Sequence, residues 1–283
     1  MPNRKVTIPD LFEMKKNKEK FSMLTAYDYP TALIIDKAKI DVILVGDSVA
    51  MVVMGHKNTL PVTMDEMIHH TKAVTRAVER AFVIGDMPFM SYNTSYEKAI
   101  ENAGRFLKEG GADAVKLEGG VQVKDTVEAI VKAGIPVMAH IGLTPQTASQ
   151  LGGFKVQGKD AIAAQKIIED AKALEDAGAF SVLLECVPAP IARIVTETLS
   201  VPTVGIGAGS FCDGQVLVTH DLLGLFDRFT PKFVKRYAEI GKIMQEAFVA
   251  FREEVKKGIF PAEEHSFMMK EEELFKIKNF DKE

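Results

Sequence analysis

Short apolar runs rich in Val, Ile and Leu alternate with amphipathic stretches from residue 21 to about residue 255. Most of the runs lack a strict alternation of apolar and polar residues, as expected for parallel strands covered on both faces. Strands that alternate with helices indicate βαβ units, and eight of them fit closure into a (β/α)8 barrel. The predicted strands are 21–27, 42–47, 81–86, 114–118, 136–141, 180–186, 202–206 and 215–219.

Local signals agree with this alternation. Thr63 before Glu66 and Thr94 before Glu97 have the spacing of capping boxes, which open helices. Residues 110–118 resemble residues 177–185, and in both segments a predicted helix ends at glycine before a strand that runs to a glutamate. Glycine suits the left-handed position after a helix, so this weak repeat supports the barrel.

No linker rich in Gly, Pro or Ser interrupts the chain, and we therefore predict a single domain over residues 1–283. The barrel occupies about 21–255. A short helix at 9–18 precedes the first strand and is expected to cover the bottom of the barrel. Residues 257–283 are predicted to form an irregular tail with a charged end.

Composition excludes several classes of protein. The 35 Lys and Arg residues nearly balance the 39 Asp and Glu residues, and no stretch of the sequence concentrates basic residues beside aromatic ones. The sequence therefore does not indicate a nucleic-acid-binding protein. Two cysteines, Cys186 and Cys212, exclude a disulfide framework and suit a reducing compartment. The N-terminus lacks the apolar stretch of a secretory signal, and no run reaches the roughly 18 apolar residues of a spanning helix. We expect a cytoplasmic protein that acts on small molecules, without nucleic-acid or membrane partners.

Ionisable residues end five consecutive predicted strands, and the carboxyl ends of barrel strands are where active sites form. These residues are Asp47, Asp86, Glu118, His140 and Glu185. Four carboxylates on one rim repel each other unless a cation neutralises them. The pattern therefore predicts a metal site.

Strand alternation indicates which side chains face the barrel interior. Lys116 and Glu118 are two residues apart and share a face, while Val115 and Leu117 belong under the helices. Oxygen ligands without a Cys or His cluster suit a hard cation such as Mg²⁺, which takes one or two protein carboxylates and keeps waters.

The roles of the carboxylates follow from their places on the rim. Asp47 and Asp86 end adjacent strands and are expected to bind the metal directly, with Glu118 acting through a metal-bound water. Glu185 lies across the ring, where a base would meet a substrate held by the metal. Its ordinary pKa of about 4.3 makes it a weak base for a carbon acid, so the metal must polarise the carbonyl and stabilise the enolate. This logic predicts proton abstraction beside a carbonyl, followed by carbon–carbon bond formation.

The residues taken alone leave other interpretations open. Asp47 and Asp86 could cap loop amides at the strand ends, and Glu118 could pair with Lys116. His140 could be a rim histidine with satisfied hydrogen bonds, and Glu185 a rim carboxylate paired with a cation.

Ten motifs along the chain resemble ketopantoate hydroxymethyltransferases in order and spacing. They are MLTAYD at 23–28, VGDS at 45–48, DMPFM at 86–90, VKLEG at 115–119, GIPVMAHIGL at 134–143, LECVP at 184–188, GIGAG at 205–209, CDGQVL at 212–217, HD at 220–221 and FPAEEH at 260–265. Ser210 and Phe211 depart from the residues that the family often has there. The ordered set covers nearly the whole chain.

The resemblance implies a (β/α)8 barrel enzyme of pantothenate and coenzyme A synthesis. Such an enzyme transfers a one-carbon unit from 5,10-methylenetetrahydrofolate to 3-methyl-2-oxobutanoate and gives 2-dehydropantoate. It also implies one Mg²⁺ per subunit and a homo-oligomer, commonly a decamer.

The resemblance also implies roles for seven residues. Asp47 and Asp86 would bind the metal and contact the keto acid, and Glu118 would be the third metal-site carboxylate. Ser48 and Lys116 would hold the keto acid, Glu185 would remove the C3 proton, and His140 would be an accessory polar group.

Two further hypotheses belong to other classes. One is a Mg²⁺-dependent carbon–carbon lyase or mutase of the phosphoenolpyruvate/pyruvate barrel type, which would act without folate. The other is a barrel that binds a ligand without catalysis.

Overall fold

Eight parallel strands form a closed barrel in the order β1 to β8 within the residues that the computed structural model describes. Those residues are 4–149, 153, 155–226 and 228–277, so the ends of the predicted single domain at 1–3 and 278–283 lie outside them. The strands are Phe21–Thr25 (β1), Val42–Val45 (β2), Phe82–Asp86 (β3), Ala114–Glu118 (β4), Val137–Gly142 (β5), Ser181–Glu185 (β6), Thr203–Ile206 (β7) and Gly214–Leu217 (β8). All eight predicted strands are confirmed, most with slightly narrower bounds.

Helices surround the barrel, as the predicted βα alternation requires. They are Ile8–Lys16 (α1), Tyr29–Lys37 (α2), Val49–Val52 (α3), Met64–Thr75 (α4), Tyr96–Lys108 (α5), Lys124–Lys132 (α6), Ala161–Asp176 (α7), Ala189–Thr198 (α8), Thr219–Leu222 (α9), Ile240–Lys256 (α10) and Glu271–Leu274 (α11). No helix in the described ranges is long and apolar enough to cross a membrane.

The core has two layers, and strand parity decides which layer receives each side chain. Val115 and Leu117 of β4 pack with the helices in the outer layer, whereas Ala114 belongs to the inner layer. The inner layer fills the barrel and includes Leu11 of α1, which is fully buried. Helix α1 therefore covers the bottom of the barrel, as predicted, although it spans Ile8–Lys16 instead of 9–18.

One of the two predicted capping boxes is wrong. The box of Thr63 with Glu66 opens α4. Helix α5, in contrast, begins after Ser95, whose side chain accepts from the Lys98 amide. Ser95 has extended backbone angles that aim its hydroxyl at this amide, and either residue of a Thr-Ser pair has the side chain of an N-cap.

The glycine repeat is confirmed in its geometry. Gly111 and Gly178 follow α5 and α7 with φ of 74° and 94°, the left-handed region that favours glycine. A Cβ at Gly178 would lie 2.9 Å from Val131 Cγ1, so close packing also requires its absence. Both glycines lead into strands that end in glutamate, β4 and β6.

The chain after β8 packs less tightly. Helix α10 contains no buried residue. The predicted irregular tail, as far as residue 277, contains one short 3₁₀ turn at Glu263–His265 and the single helical turn α11.

Candidate active site

A cavity of about 370 Å³ opens at the carboxyl ends of the strands. All seven residues proposed from the sequence line it, namely Asp47, Ser48, Asp86, Lys116, Glu118, His140 and Glu185. Parallel strands bring their carboxyl ends to one rim of the barrel, which explains how residues 138 positions apart meet. The structure thus brings the predicted set together in one place.

The ionisable side chains at the strand ends form the floor of the cavity, which we define as Asp47, Asp86, Lys116, Glu118, His140 and Glu185. Lys116 is the cation at the centre of this floor. Its side chain is 3% exposed, and its Nζ lies 2.9 Å from Asp86 Oδ1 and 3.8 Å from Glu118 Oε1. Burial alone would lower the pKa of Lys116, but attraction to Asp86 and Glu118 outweighs it, and the pKa is raised. Lys116 therefore stays charged and pairs mainly with Asp86, with Glu118 as a second, more distant partner.

His140 lies between two carboxylates. Its Nδ1 is 3.4 Å from Glu118 Oε1, and its Nε2 is 3.3 Å from Glu185 Oε2. Burial and the nearby Lys116 ammonium lower the pKa of His140, but the contacts with Glu118 and Glu185 outweigh them and raise it to about 9. The ammonium lies 3.2 Å from the same Nδ1, a contact that suits a neutral ring; we favour the charged ring because two carboxylates flank it.

Asp47 and Asp86 are almost completely buried, at 5% and 1% exposure. The backbone N–H of Asp47 donates to Asp86 Oδ2 over 3.0 Å, so Asp86 does cap a loop amide. Burial raises the pKa of Asp47 well above its ordinary value, and the charges of Asp86 and Glu118 raise it further. Burial also raises the pKa of Asp86 in spite of Lys116.

Gln146 is a central residue that the sequence interpretation missed. It lies in the 3₁₀ turn Pro145–Thr147 after β5. Its backbone N–H donates to Glu118 Oε2 over 3.0 Å, and its side-chain amide donates to Asp47 Oδ2 over 2.9 Å and to the Met87 carbonyl over 3.0 Å. Tyr92 donates its hydroxyl to Gln146 Oε1 over 2.6 Å. The only signal for Gln146 was its place in a loop at the carboxyl end of a strand.

Ser48 forms a hydrogen bond with Tyr27, a second residue that the sequence interpretation did not assign to the site. The Tyr27 hydroxyl lies 2.8 Å from Ser48 Oγ, and Tyr27 is 1% exposed. Burial raises the pKa of Tyr27, so its hydroxyl stays protonated. Tyr27 lies two residues after β1 and Ser48 three residues after β2, so the ends of two adjacent strands fix this hydroxyl pair.

The floor has the charge and the donors to bind a hard cation. Within the described ranges, Asp86 Oδ1 and Glu118 Oε1 are buried oxygens without a hydrogen-bond partner, although Asp86 Oδ1 is in ion-pair contact with Lys116. Four carboxylates face two cations, so two negative charges remain when all are ionised. Mg²⁺ takes one or two protein carboxylates together with waters, and Asp47 and Asp86 fit this requirement.

A cluster of three direct ligands is not formed. No group of three Cys, His, Asp or Glu side chains in the described part of the chain has the spacing to hold a metal ion. Gln146 and Lys116 instead occupy oxygens of the three predicted metal-site carboxylates. The donor set is therefore consistent with two direct ligands and with Glu118 acting through water.

The chain matches the family model described as ketopantoate hydroxymethyltransferase over residues 5–263. It is 61% identical over 263 residues to the 3-methyl-2-oxobutanoate hydroxymethyltransferase of Moorella thermoacetica, which covers 93% of this chain and 98% of that protein. The enzyme of the same name from Heliobacterium modesticaldum is 59% identical over 269 residues, with 95% and 98% coverage.

Solved structures of lower sequence identity share the fold. Phosphonopyruvate hydrolase has a TM-score of 0.62 at 13% identity and covers 96% of this chain and 94% of that chain. A 2,3-dimethylmalate lyase of the PEP mutase/isocitrate lyase superfamily has a TM-score of 0.58 at 15% identity and covers 95% and 93%. One structure of phosphonopyruvate hydrolase, with a TM-score of 0.60 at 12% identity and coverage of 96% and 94%, is a complex with oxalate and Mg²⁺.

Proposed function

Because the chain belongs to the ketopantoate hydroxymethyltransferase family, we propose that it transfers a hydroxymethyl group from 5,10-methylenetetrahydrofolate to 3-methyl-2-oxobutanoate. Membership of this family makes the chain a transferase of pantothenate synthesis. The observation that carries the finer proposal is the cavity floor, where Asp47 and Asp86 lie across the barrel from Glu185. Such a floor suits a keto acid that must lose a proton at C3.

The protein side chains have separate tasks in this proposal. Ser48 and the charged Lys116 bind the carboxylate of the keto acid. Glu185 ends β6 on the far side of the ring, and its side chain is 17% exposed to the cavity. It accepts the C3 proton. Water adds to the methylene carbon of the donor, and cleavage of its two C–N bonds releases tetrahydrofolate and leaves the carbon as formaldehyde. The C3 carbanion attacks this carbon to form the new carbon–carbon bond, and the oxygen that came from water takes up a proton to give the hydroxymethyl group.

A divalent cation held by Asp47 and Asp86 would, when bound, polarise the keto group and stabilise the enolate. The proposal has one Mg²⁺ per subunit. His140 lies 3.3 Å from the Glu185 carboxylate and 3.4 Å from that of Glu118, so it orients both groups without itself accepting a proton.

Gln146 is expected to position the metal-binding carboxylates. Its amide orientation is defined, because Oε1 accepts from Tyr92 while Nε2 donates to Asp47 and to the Met87 carbonyl. Partners that orient metal ligands typically contribute about 10–100-fold in affinity. We expect Gln146→Ala to weaken Mn²⁺ binding by about tenfold or more, measured by calorimetric titration of the metal-depleted protein.

Two matched variants make this measurement specific. Gln165→Ala removes an exposed glutamine of α7 and should leave Mn²⁺ affinity unchanged. Tyr92→Phe leaves the Gln146 amide in place but removes the hydroxyl that orients it, and a loss smaller than that of Gln146→Ala is expected. Equal affinities for the wild type and Gln146→Ala would contradict the positioning role.

Helix α10 supports the proposal that the protein is an oligomer. The resemblance to the family predicts a homo-oligomer, commonly a decamer. The helix has no buried residue, and one of its faces exposes apolar side chains. These are Ile243, Met244, Phe248, Phe251 and Val255, each at least 42% exposed. An exposed apolar face of this kind marks an interaction surface. The decamer and the cytoplasmic location stay predictions.

The transfer itself is tested in one NMR experiment. The protein is placed in D2O with Mg²⁺, 3-methyl-2-oxobutanoate and 5,10-methylenetetrahydrofolate, and the keto acid is followed by proton NMR. We expect loss of the C3 proton signal, appearance of a hydroxymethyl signal, and an arrest of both on chelation of the metal. Absence of both in folded, metal-loaded protein would contradict the proposal.

The same spectrum separates the alternative hypotheses. A lyase or mutase of the related barrels would give no folate-dependent hydroxymethyl signal, and a non-catalytic barrel would exchange no proton. The likeness to the hydrolase and lyase structures supports only the shared fold, because identities are 13% and 15%. No contact among the described cavity residues favours either alternative.

A further inference from the structure

The cavity is larger than the keto acid requires. A cavity of roughly 150 Å³ holds benzene, and 3-methyl-2-oxobutanoate has only two more heavy atoms than benzene. About half of the 370 Å³ cavity therefore remains free when the keto acid is bound to the floor. This second half must accept another molecule or be filled by water.

The free half has a different chemistry from the floor. The floor carries Asp47, Asp86, Lys116, Glu118, His140 and Glu185. The mouth is lined mainly by aromatic and aliphatic side chains, together with one lysine and one aspartate, and most of them come from the irregular segment between α9 and α10. These residues are Leu143, Val156, Asp221, Phe226, Phe229, Lys232 and Phe233.

This aromatic segment is anchored over the mouth. Arg228 donates to the Gly55 carbonyl over 3.0 Å, and the Tyr237 amide donates to the Leu222 carbonyl over 2.9 Å. Phe233 packs against Gly207, where a Cβ would lie 2.7 Å from the Phe233 ring. Gly207 also has a φ of 63°. The glycine-rich motif after β7 thus makes room for an aromatic ring at the mouth, a role that the sequence did not indicate.

The same segment carries a net positive charge. Residues 223–239 contain the basic residues Arg228, Lys232, Lys235 and Arg236 and the acidic residues Asp227 and Glu239, a formal charge of +2 in a chain of net charge −4. The charge balance of the whole chain conceals this local concentration. Arg228 and Arg236 are held by the Gly55 carbonyl and by Glu239, whereas Lys232 faces the cavity. The rim therefore attracts an anion that enters beside the aromatic wall.

We propose that Phe226, Phe229 and Phe233 bind the flat heteroaromatic ring of the one-carbon donor, and that Lys232 binds a carboxylate of its glutamate tail. This inference rests on the proposed function, because the donor is the folate of that reaction. The ring then lies above Glu185, and its reactive carbon is directed towards the floor. Planar rings bind aromatic side chains by stacking, and an anionic tail that points outwards meets the basic rim.

Two variants test the two parts of the subsite separately. Phe229 is 65% exposed, so Phe229→Ala should fold and raise the KM for 5,10-methylenetetrahydrofolate by about three- to tenfold, the loss of one stacking contact. Lys232→Ala should raise that KM by about two- to fivefold. The second effect should shrink at high salt and disappear with the diamide of 5,10-methylenetetrahydrofolate, in which both glutamate carboxylates are replaced by neutral amides.

Controls separate failure of this inference from failure of the proposed function. Phe12→Ala and Lys16→Ala on α1 remove exposed side chains at the opposite end of the barrel from the cavity and should keep wild-type constants. Keto acid affinity, measured by calorimetry, should stay unchanged in Phe229→Ala. If the wild type shows no folate-dependent turnover, the proposed function fails. If the wild type turns over and both subsite variants keep its KM for the donor, the subsite is wrong.

Discussion

Glu185→Gln is expected to lose turnover while it keeps affinity for the keto acid. Glutamine has nearly the same shape as glutamate, but its amide accepts no proton at neutral pH. General base catalysis contributes about 10²–10⁴-fold to rate, so a fall in kcat of that size is expected. Ser48 and Lys116, which are proposed to bind the keto acid carboxylate, are unchanged. The NMR measurement in D2O should show loss of C3 proton exchange, and calorimetry should show keto acid binding within about threefold of wild type.

The structure makes this substitution more informative than truncation of the Glu185 side chain. Glu185 Oε2 lies 3.3 Å from His140 Nε2, and glutamine keeps an oxygen that can accept from this ring. Glu101→Gln, at an exposed position on α5, is the matched control and should exchange the C3 proton at the wild-type rate. Exchange at the wild-type rate in Glu185→Gln would remove Glu185 from the role of base.

The barrel could be predicted from the sequence because periodic burial is a local signal. Every strand presents one face to the barrel interior and the other to the helices, and parity correctly placed Lys116 and Glu118 inside and Val115 outside. Strand ends also converge by topology alone, so five of the six ionisable groups of the floor could be found by reading where each strand stops.

The remaining parts of the site depend on loops, which have no periodicity. Gln146 and Tyr92 lie on separate connections, after β5 and β3, and contact the carboxylates only after both loops fold over the barrel end. Phe233 reaches the cavity mouth through packing on Gly207. The wrong N-cap at Thr94 has a related cause, because two adjacent residues had equal chemistry and only the backbone angles selected Ser95.

Asp47→Asn is expected to abolish metal binding and at the same time to stabilise the metal-free protein. Asp47 is buried beside Asp86 and Glu118, and burial raises its pKa well above the ordinary value of 3.8. A buried carboxylate that lacks sufficient counter-charge opposes folding, and each unit by which burial raises its pKa is worth about 1.4 kcal/mol. We therefore expect the neutral side chain to stabilise the metal-free protein by about 1–2 kcal/mol. The asparagine side chain introduced by this substitution still offers an oxygen to the Gln146 amide.

The raised pKa of Asp47 determines how the difference in stability between the wild type and Asp47→Asn changes with pH. A carboxyl whose pKa is higher in the folded than in the unfolded state favours folding at low pH, and this contribution is lost as pH rises through the folded-state pKa. Wild-type protein in chelator should therefore lose stability relative to Asp47→Asn as pH rises above about 4. At neutral pH the Tm of the variant should be higher by about 2–5 °C. Asp125→Asn, an exposed position on α6, should show no such gain.

Metal addition should reverse the order of stability. A ligand that binds only the folded state raises Tm by mass action, so Mg²⁺ should stabilise the wild type and leave Asp47→Asn nearly unchanged. Turnover of the variant should fall by about a hundredfold or more, since loss of a direct ligand exceeds the loss of an orienting partner. If Mg²⁺ raised the Tm of both proteins equally, Asp47 would not be a ligand. The variant could instead prove less stable than the wild type in chelator at neutral pH. Asp47 would then stabilise the fold as a hydrogen-bond acceptor, and the buried carboxylates would not oppose folding in the absence of a cation.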